Sequence, residues 1–327
     1  MAKSKISLIQ ELLSQTTASP FNNIISDNQE FVFSNSHKLL LEGTDFDLVY
    51  TPLNHLGYKA ALNVFGPLYA NGFTPHSLSV RIGMSKKIGV TQLEELWQGI
   101  SAAIKEHSAE YVQLDLSSSL TGLTISLSSQ GKQKRETFVQ RNSCKSGDLL
   151  CLTGSLGAAY LGLQILEREK RIFEERGVQP QLEKYKPVLR AFLNPELDKR
   201  LPELMSSAGI FPSEGDFVIN GLADSVKSIC GRNNLGAKIF MNRIAVFSAA
   251  MEVAEELHID PMTAALNGGE DYRILFAIPQ SQYEAVQKEL PQFDIVGHLC
   301  DISAGTKFIT PDGSELELKA QAWNETV

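Results

Sequence analysis

A two-domain α/β (α+β) chain is predicted by three observations. Its 327 residues suggest two units at about 100–200 residues per domain, each able to bury a core. Short β-rich runs alternate with amphipathic helical runs in both halves. A polar, basic stretch at Gly131–Gly147, ending in Lys145-Ser-Gly-Asp148, divides the halves. That break gives domains of residues 1–140 and 141–327.

In the first half, Phe31–Phe33 and Lys38–Leu41 read as strands with a polar turn, Ser34–His37, between them. Leu53–Ala70 is apolar and Ala-rich enough for a helix, which Gly66-Pro67 is expected to break or kink. Ser77–Met84 follows as a strand. Leu93, Leu96, Trp97, Ile100, Ala103 and Ile104 then recur at helical spacing, so that segment lays one face on a core. Tyr111–Leu116 and Leu123–Ser129 read as strands, the second alternating apolar and polar residues. The order β-β-α-β-α-β-β implies a mixed domain with a largely antiparallel sheet.

The second half opens with a strand at Leu149–Leu152, the turn Thr153-Gly-Ser-Leu-Gly157 and a helix at Ala158–Lys170. The charged run Glu167–Lys186 reads as a solvated helix and loop. A helix near Pro195–Ala208, a strand at Asp216–Ile219 and a helix near Leu222–Ile229 come next. Arg273–Ile278 is a strand and Gln282–Glu289 the helix after it. No repeat of 20–50 residues is present.

Composition excludes several function classes. Hydrophobic residues make up 43% of the chain, too many for a disordered protein. The net charge of −8 argues against nucleic acid as a partner, because neutralising phosphates needs clustered Lys and Arg. Cys144, Cys151, Cys230 and Cys300 are scattered, with no zinc spacing, and read as reduced thiols. The start Met1–Leu13 has two lysines but no signal-peptide apolar region, and no run suits a membrane helix. A cytoplasmic protein without a membrane partner is expected.

Three motifs carry candidate chemistry, each with a plainer alternative. Thr153–Gly157 lies between strand and helix, where glycines let N–H groups approach an anion; it is either a phosphate cradle or a tight turn. Asn267-Gly-Gly-Glu-Asp-Tyr272 presents two carboxylates at the mouth of an apolar strand, or is a turn with exposed acids. Glu42-Gly-Thr-Asp-Phe-Asp47 places three carboxylates within six residues, suited to Mg²⁺ or proton uptake, or simply a solvated loop. Asp27 and Asp115 are lone carboxylates beside strand-like runs.

In their order along the chain, several segments resemble the thiamine-monophosphate kinase family of the AIR synthase-related superfamily. They are Leu41–Asp47, Leu56-Gly-Tyr-Lys-Ala-Ala61, Leu68-Tyr-Ala70, Gly147–Gly157, Gly221-Leu-Ala223, Gly268-Gly-Glu-Asp-Tyr272 and Trp323-Asn324. The resemblance runs from about Ile6 to Trp323. It implies a homodimer, with an N-terminal ATP- and metal-side domain whose sheet pairs with a partner's and a C-terminal α/β domain. It also implies transfer of ATP's γ-phosphoryl group to thiamine monophosphate, with Mg²⁺ neutralising the crowded oxygens. By the same resemblance, Lys38, Gly154, Ser155 and Gly157 would meet nucleotide or phosphate. Glu42, Gly43, Asp45, Glu270, Asp271, Tyr272 and Trp323 would surround the substrate.

The chain departs from the family's metal motifs. Gly-Asp-Asp-Ala appears as Ser26-Asp27-Asn28-Gln29, and Thr-Asp as His37-Lys38. Ser-Asp falls on Gly66-Pro67, Gly-Gly-Asp-Thr-Thr on Gln113–Ser117, and Asp-x-Ser-Asp-Gly on Phe217–Gly221. Five of the family's seven metal-site aspartates are thus replaced, leaving Asp27 and Asp115. Asp45 stands where the family has His, and Asp216 lies one residue before a lost position. The expectation is a kinase-like protein with impaired or absent catalysis, no assigned catalytic residue, and retained binding of a phosphorylated ligand. The alternatives are a working kinase with a rearranged site and a structural or regulatory partner that binds no small molecule.

Overall fold

The computed structural model describes residues 24–27 and 29–321, and their contacts divide into two units. The first comprises residues 24–139 and 162–204. Its sheet has the order β1-β2-β5-β3-β4, built from β1 (Ile24–Asp27), β2 (Phe31–Leu41), β3 (Thr74–Met84), β4 (Tyr111–Ser118) and β5 (Thr124–Lys134). All neighbours are antiparallel except β3 and β4. A parallel pair needs a crossover, and α2 (Val90–His107) supplies it after α1 (Leu53–Ala70).

Two expectations for this unit are corrected. The polar Ser34–His37 segment is not a turn, because β2 runs unbroken and pairs with β5 from Phe31↔Lys134 to Leu41↔Thr124. Ser34 and Ser36 point to the buried face, where the Ser36 hydroxyl donates to the Val64 carbonyl, so polar side chains did not signal a loop. Nor does Gly66-Pro67 break α1, which is helical through Pro67. Burial of most of its residues outweighs the lost donor, and the Asn71 side-chain amide donates to the Pro67 carbonyl at 3.1 Å. Helices α1 and α2 cross closely: a Cβ on Gly99 would lie 1.8 Å from the Asn54 carbonyl oxygen.

A short helix, α3 (Arg135–Phe138), follows β5. The charged helix α4 extends beyond Lys170, covering Ala158–Arg176, and α5 (Lys186–Leu193) comes after it. The helix expected at Pro195–Ala208 is only α6, Leu201–Ser207.

The second unit comprises residues 140–161 and 205–321 among those described, so the first turn of α4 belongs to it. Its strands are β6 (Leu149–Thr153), β7 (Glu214–Val218), β8 (Leu235–Phe240), β9 (Arg273–Ile278), β10 (Phe293–Asp301), β11 (Thr306–Ile309) and β12 (Glu315–Glu317). They form a sheet of order β12-β11-β8-β10-β6-β9-β7. Helices α7 (Leu222–Asn233), α8 (Ser248–Leu257), α9 (Pro261–Asn267) and α10 (Tyr283–Glu289) complete it. Leu150, Leu152, Val226, Ile229, Ile239, Leu275 and Val296 lie in one continuous buried core. The strand expected at Asp216–Ile219 begins two residues earlier and stops at Val218, because the Ile219 N–H turns back to the Phe217 carbonyl.

All four cysteines are free thiols, and burial pushes Cys151 up to about 12 and Cys230 up to about 11. Among the described residues no helix is long and apolar enough to cross a membrane.

Candidate functional site

At one end of the seven-stranded sheet, the loops after β6 and β7 meet the loop that enters β9. The register fixes this meeting, since Leu152 pairs with Leu275 and Val218 with Arg273. Asp271, only 7% exposed, turns inward there. Each of its carboxylate oxygens is 3.0 Å from the Gly157 N–H nitrogen, and Oδ1 is 3.4 Å from that of Ala159. An internal carboxylate thus accepts from the first amides of α4, where the helix dipole favours negative charge. Burial pushes Asp271 up to about 7, while the Gly157 and Ala159 N–H groups and Arg273 pull it down and Glu270 pushes it up.

The surrounding loops are tied together by the backbone. Glu270 N–H donates to the Ile219 carbonyl at 2.8 Å, and Leu156 exchanges hydrogen bonds with Ala245 and Phe247. Ile274 N–H donates to the Thr153 hydroxyl at 2.9 Å, and Arg273 Nε to the Ser155 carbonyl at 3.3 Å. Gly269, at φ +77°, has no room for a side chain, because a Cβ would sit 2.6 Å from the Ile219 carbonyl oxygen. Glu270 and Tyr272 hold positive φ of 61° and 54° without being glycine, a conformation that neighbouring contacts must enforce.

The expected substrate-side residues divide here. Asp271 faces the helix start, and the half-buried Glu270 sits beside the Ile219–Gly221 loop. Tyr272 is 1% exposed and packs edge-on against Phe217, with ring centroids 5.4 Å apart. In the turn, Gly154 is exposed, Ser155 half-buried and Gly157 buried. The Gly157 amide, expected at a ligand phosphate, donates to Asp271. Trp323 lies outside the described residues.

In the five-stranded unit, each acid of the Glu42–Asp47 loop has an internal partner. Glu42 accepts from Leu123 N–H at 2.7 Å, and Asp45 accepts from Leu41 N–H at 2.9 Å. Asp47 accepts from Val49 N–H and pairs with Lys170. Against the upward push of burial, Lys170 and the Val49 N–H hold Asp47 below its usual range. Gly43 is exposed at positive φ in this turn. These acids act as turn formers, each oriented by the backbone it stabilises.

The metal-side candidates are not brought together. Lys38 is in register with Leu127, which faces Val80 and Leu114, whereas Asp115 is opposite Arg81, which faces Ser126 and in turn Leu39. Alternation along a strand puts these two rows on opposite faces of the sheet. Asp115 and Arg81 are both exposed, on the rim of a shallow cavity of about 440 Å³ also lined by Ser79, Val80, Gln113 and Leu114. Asp27 lies on β1 opposite Val32, while Asn28 is outside the described residues. Asp216, expected to lie one residue before a metal-side position, pairs with Arg232 at 3.0 Å. Burial pushes Asp216 up to about 6 against the pull of Arg232. Phe217 is buried, and Asn220 Nδ2 donates to Asp224 at 3.2 Å.

Among the described residues the expected positions therefore do not fit a multi-Mg²⁺ centre of carboxylates: Lys38 and Asp115 stand on opposite faces, Asp216 is paired with Arg232, and Pro67 and Phe217 offer no side-chain ligand atom. Among the described residues no cluster of three or more His, Cys, Asp or Glu side chains suits a metal ion. Arg81 and Arg232 were missed in the sequence. Arg81 had a signal, because Ser77, Ser79 and Arg81 alternate with Leu78, Val80 and Ile82, giving a strand with one polar face.

No family model matches the chain. Curated relatives do, over most of their length. The thiamine-monophosphate kinase of Synechococcus elongatus is 25% identical over 81% of this chain and 78% of its own. That of Methanospirillum hungatei is 27% identical over 87% of this chain and 86% of its own. Among solved structures, the Aquifex aeolicus enzyme complexed with AMPPCP and TMP superposes with a TM-score of 0.77 at 19% identity, covering 97% of this chain and 96% of that one. Hydrogenase maturation protein HypE in complex with ATP superposes with a TM-score of 0.61 at 13% identity, covering 94% and 88%. The two-sheet architecture is thus that of the AIR synthase-like fold, a class of two-domain α/β proteins. Within it, the chain is similar along most of its length to thiamine-monophosphate kinases.

Proposed function

We propose that the chain is a thiamine-monophosphate kinase-like protein in which phosphoryl transfer from ATP is lost or strongly impaired and binding of a phosphorylated small molecule persists. Thiamine monophosphate is the first candidate ligand. The observation that carries this reading is the replacement of five carboxylates by Asn28, Lys38, Pro67, Phe217 and Asn220. The geometry supports it: Asp216 is engaged by Arg232, and Lys38 and Asp115 stand on opposite faces. Phosphoryl transfer depends on alignment and on neutralising charge at the γ-phosphate. A chain that cannot gather Mg²⁺ there lacks the main source of that stabilisation.

The substrate side supports retained binding, because Glu42 and Asp271 each orient backbone in motifs shared with the family. The dimer expected for the family is supported by edge strand β4, which is exposed along its whole length. It carries Tyr111, Leu114 and Leu116 at 62%, 45% and 44% exposure. Such an edge invites pairing, and a second copy of the chain is the proposed occupant. Leu116→Lys is expected to shift the protein from dimer to monomer in sedimentation velocity. A monomeric parent protein would refute this part.

The deciding test is conversion of thiamine monophosphate to thiamine diphosphate with excess ATP and Mg²⁺, beside an active family member. No turnover above the buffer blank is expected from folded protein. Turnover within about 100-fold of the control, about 2.7 kcal/mol in barrier, would overturn the reading. Thiamine monophosphate is expected to raise the melting temperature in the same preparation. Absence of any ligand-dependent shift, with ATP also tested, would favour a structural or regulatory partner.

A further inference from the structure

We infer that Asp271 is a positioning residue: its carboxylate occupies the start of α4 as a built-in anion, and so sets the Thr153–Gly157 turn and holds Glu270 toward the ligand. This deepens the proposed function and rests on the reading that the loop end receives a phosphorylated molecule.

The argument starts from the accounting of donors. A helix begins with amides that have no partner within the helix. A glycine-rich turn before it commonly gives them to a ligand phosphate. Here Gly157 N–H meets both oxygens of Asp271 and Ala159 N–H meets one. The anion is supplied from 114 residues away in sequence, so the contact fixes one loop against another. A ligand phosphate would therefore have to be met by other groups unless Asp271 withdrew.

The backbone around Asp271 is shaped to the same end. Positive φ at Glu270 and Tyr272 brackets it, sending Tyr272 into the core and Asp271 to the helix. Gly268 and Gly269 pack where a Cβ would strike Tyr160 and the Ile219 carbonyl. Glu270 N–H is fastened to Ile219. Release of the Asp271 carboxylate would free the turn and loosen the only segment that carries Glu270. The charged groups acting on Asp271 are Arg273, on β9, and its neighbour Glu270. With burial pushing Asp271 up to about 7, this contact changes its charge within an ordinary working range.

The test uses the full chain and two readouts. Hydrogen exchange at Gly157 and Ala159, corrected for intrinsic rates, is compared between the parent protein and Asp271→Asn at pH 8. Asn preserves shape and one acceptor but not the charge. At least a 10-fold loss of protection at those two amides is expected, and the parent is expected to gain protection between pH 8 and 5.5, because the buried carboxyl takes up its proton before an opened one does, while the variant stays flat. Equal protection with no pH dependence overturns the inference. If the variant does not fold, the parent's pH series decides alone.

The second readout is affinity for thiamine monophosphate by calorimetry across the same range. The variant is expected to bind at least 10-fold more weakly at pH 8 and to lose the parent's pH dependence. Unchanged affinity and profile in a folded variant overturn the positioning role. If the parent binds no thiamine monophosphate at any pH, the functional reading fails, and amide exchange by itself decides the placement of Asp271.

Discussion

Arg81 on β3 and Gln113 and Asp115 on the edge strand β4 are exposed. At the loop end of the other sheet, Asp271 is 7% exposed and bonded to two backbone amides. The two regions differ in what a side chain does for the backbone beneath it. An exposed side chain on a finished strand can be exchanged at small cost in stability, whereas one that completes a loop's hydrogen bonding cannot. Glu42 and Asp271 are of the second kind, each holding a loop together through backbone amides. Lys38 and Asn220 complete no loop in this way: the β2 ladder runs on main-chain bonds, and Asn220 bonds the Asp224 side chain. Asp115 is likewise an exposed side chain on a finished strand.

The comparison breaks most visibly at Phe217. Phe217→Asp places a carboxylate in the core against Tyr272, and a loss of about 3–5 kcal/mol is expected in denaturant unfolding. A loss below about 1 kcal/mol would mean that the loop end is less interlocked than its contacts indicate. Restoring all five aspartates at positions 28, 38, 67, 217 and 220 would meet the same penalty, so metal binding should be sought first in a variant that leaves Phe217 in place.

Acid should move the two units in opposite directions. In the five-stranded unit, His107 is buried, with Nδ1 3.0 Å from the Tyr69 hydroxyl, and burial pulls it down to about 4. The unfolded chain takes up that proton near pH 6.5 and the folded one does not. Stability present above pH 6.5 is therefore lost as pH falls to 4, by up to about 3 kcal/mol. Asp271 runs the other way: its folded value is above its unfolded one, so its contribution is greatest below pH 3.8 and is lost as pH rises to about 7. Hydrogen exchange in α2 and in β9 at pH 5 and 7.5 checks both signs. Parallel responses in the two units would remove the distinction.

A smaller effect is expected at Arg232, which joins the end of α7 to Glu214 and Asp216 on β7. Arg232→Met leaves two acids without their cation but in partial contact with water. It should cost about 1–2 kcal/mol, read from the shift in the urea midpoint. A neutral result would place Asp216 closer to solvent than its pairing suggests.

Much of the architecture was legible because periodicity survives in long elements. The α2 stripe and the β9 run reported themselves through spacing alone. Where side-chain chemistry and backbone disagreed, sequence reading followed the side chains. Ser34–His37 looked like a turn, yet a ladder of main-chain bonds to β5 does not depend on apolar side chains. Pro67 looked like a break or kink, yet the buried helix runs on through it to Ala70. β8 and β10 passed unread, although they flank one another and β10 pairs with β6 inside the core sheet. At the site, the Gly-Gly-Glu-Asp-Tyr element stood out by composition. That its aspartate faces inward was not legible, because the partner amides lie in a distant segment and leave no local spacing.

That distance also has a meaning in time. A chain leaves the ribosome from its N-terminus at about 5–20 residues per second, so roughly 6–23 s separate the emergence of Gly157 from that of Asp271. During that interval the start of α4 has no internal anion to accept its amides. The glycine-rich turn, among the earlier parts of its unit to be synthesised, waits for one of the later parts before its hydrogen bonding is complete.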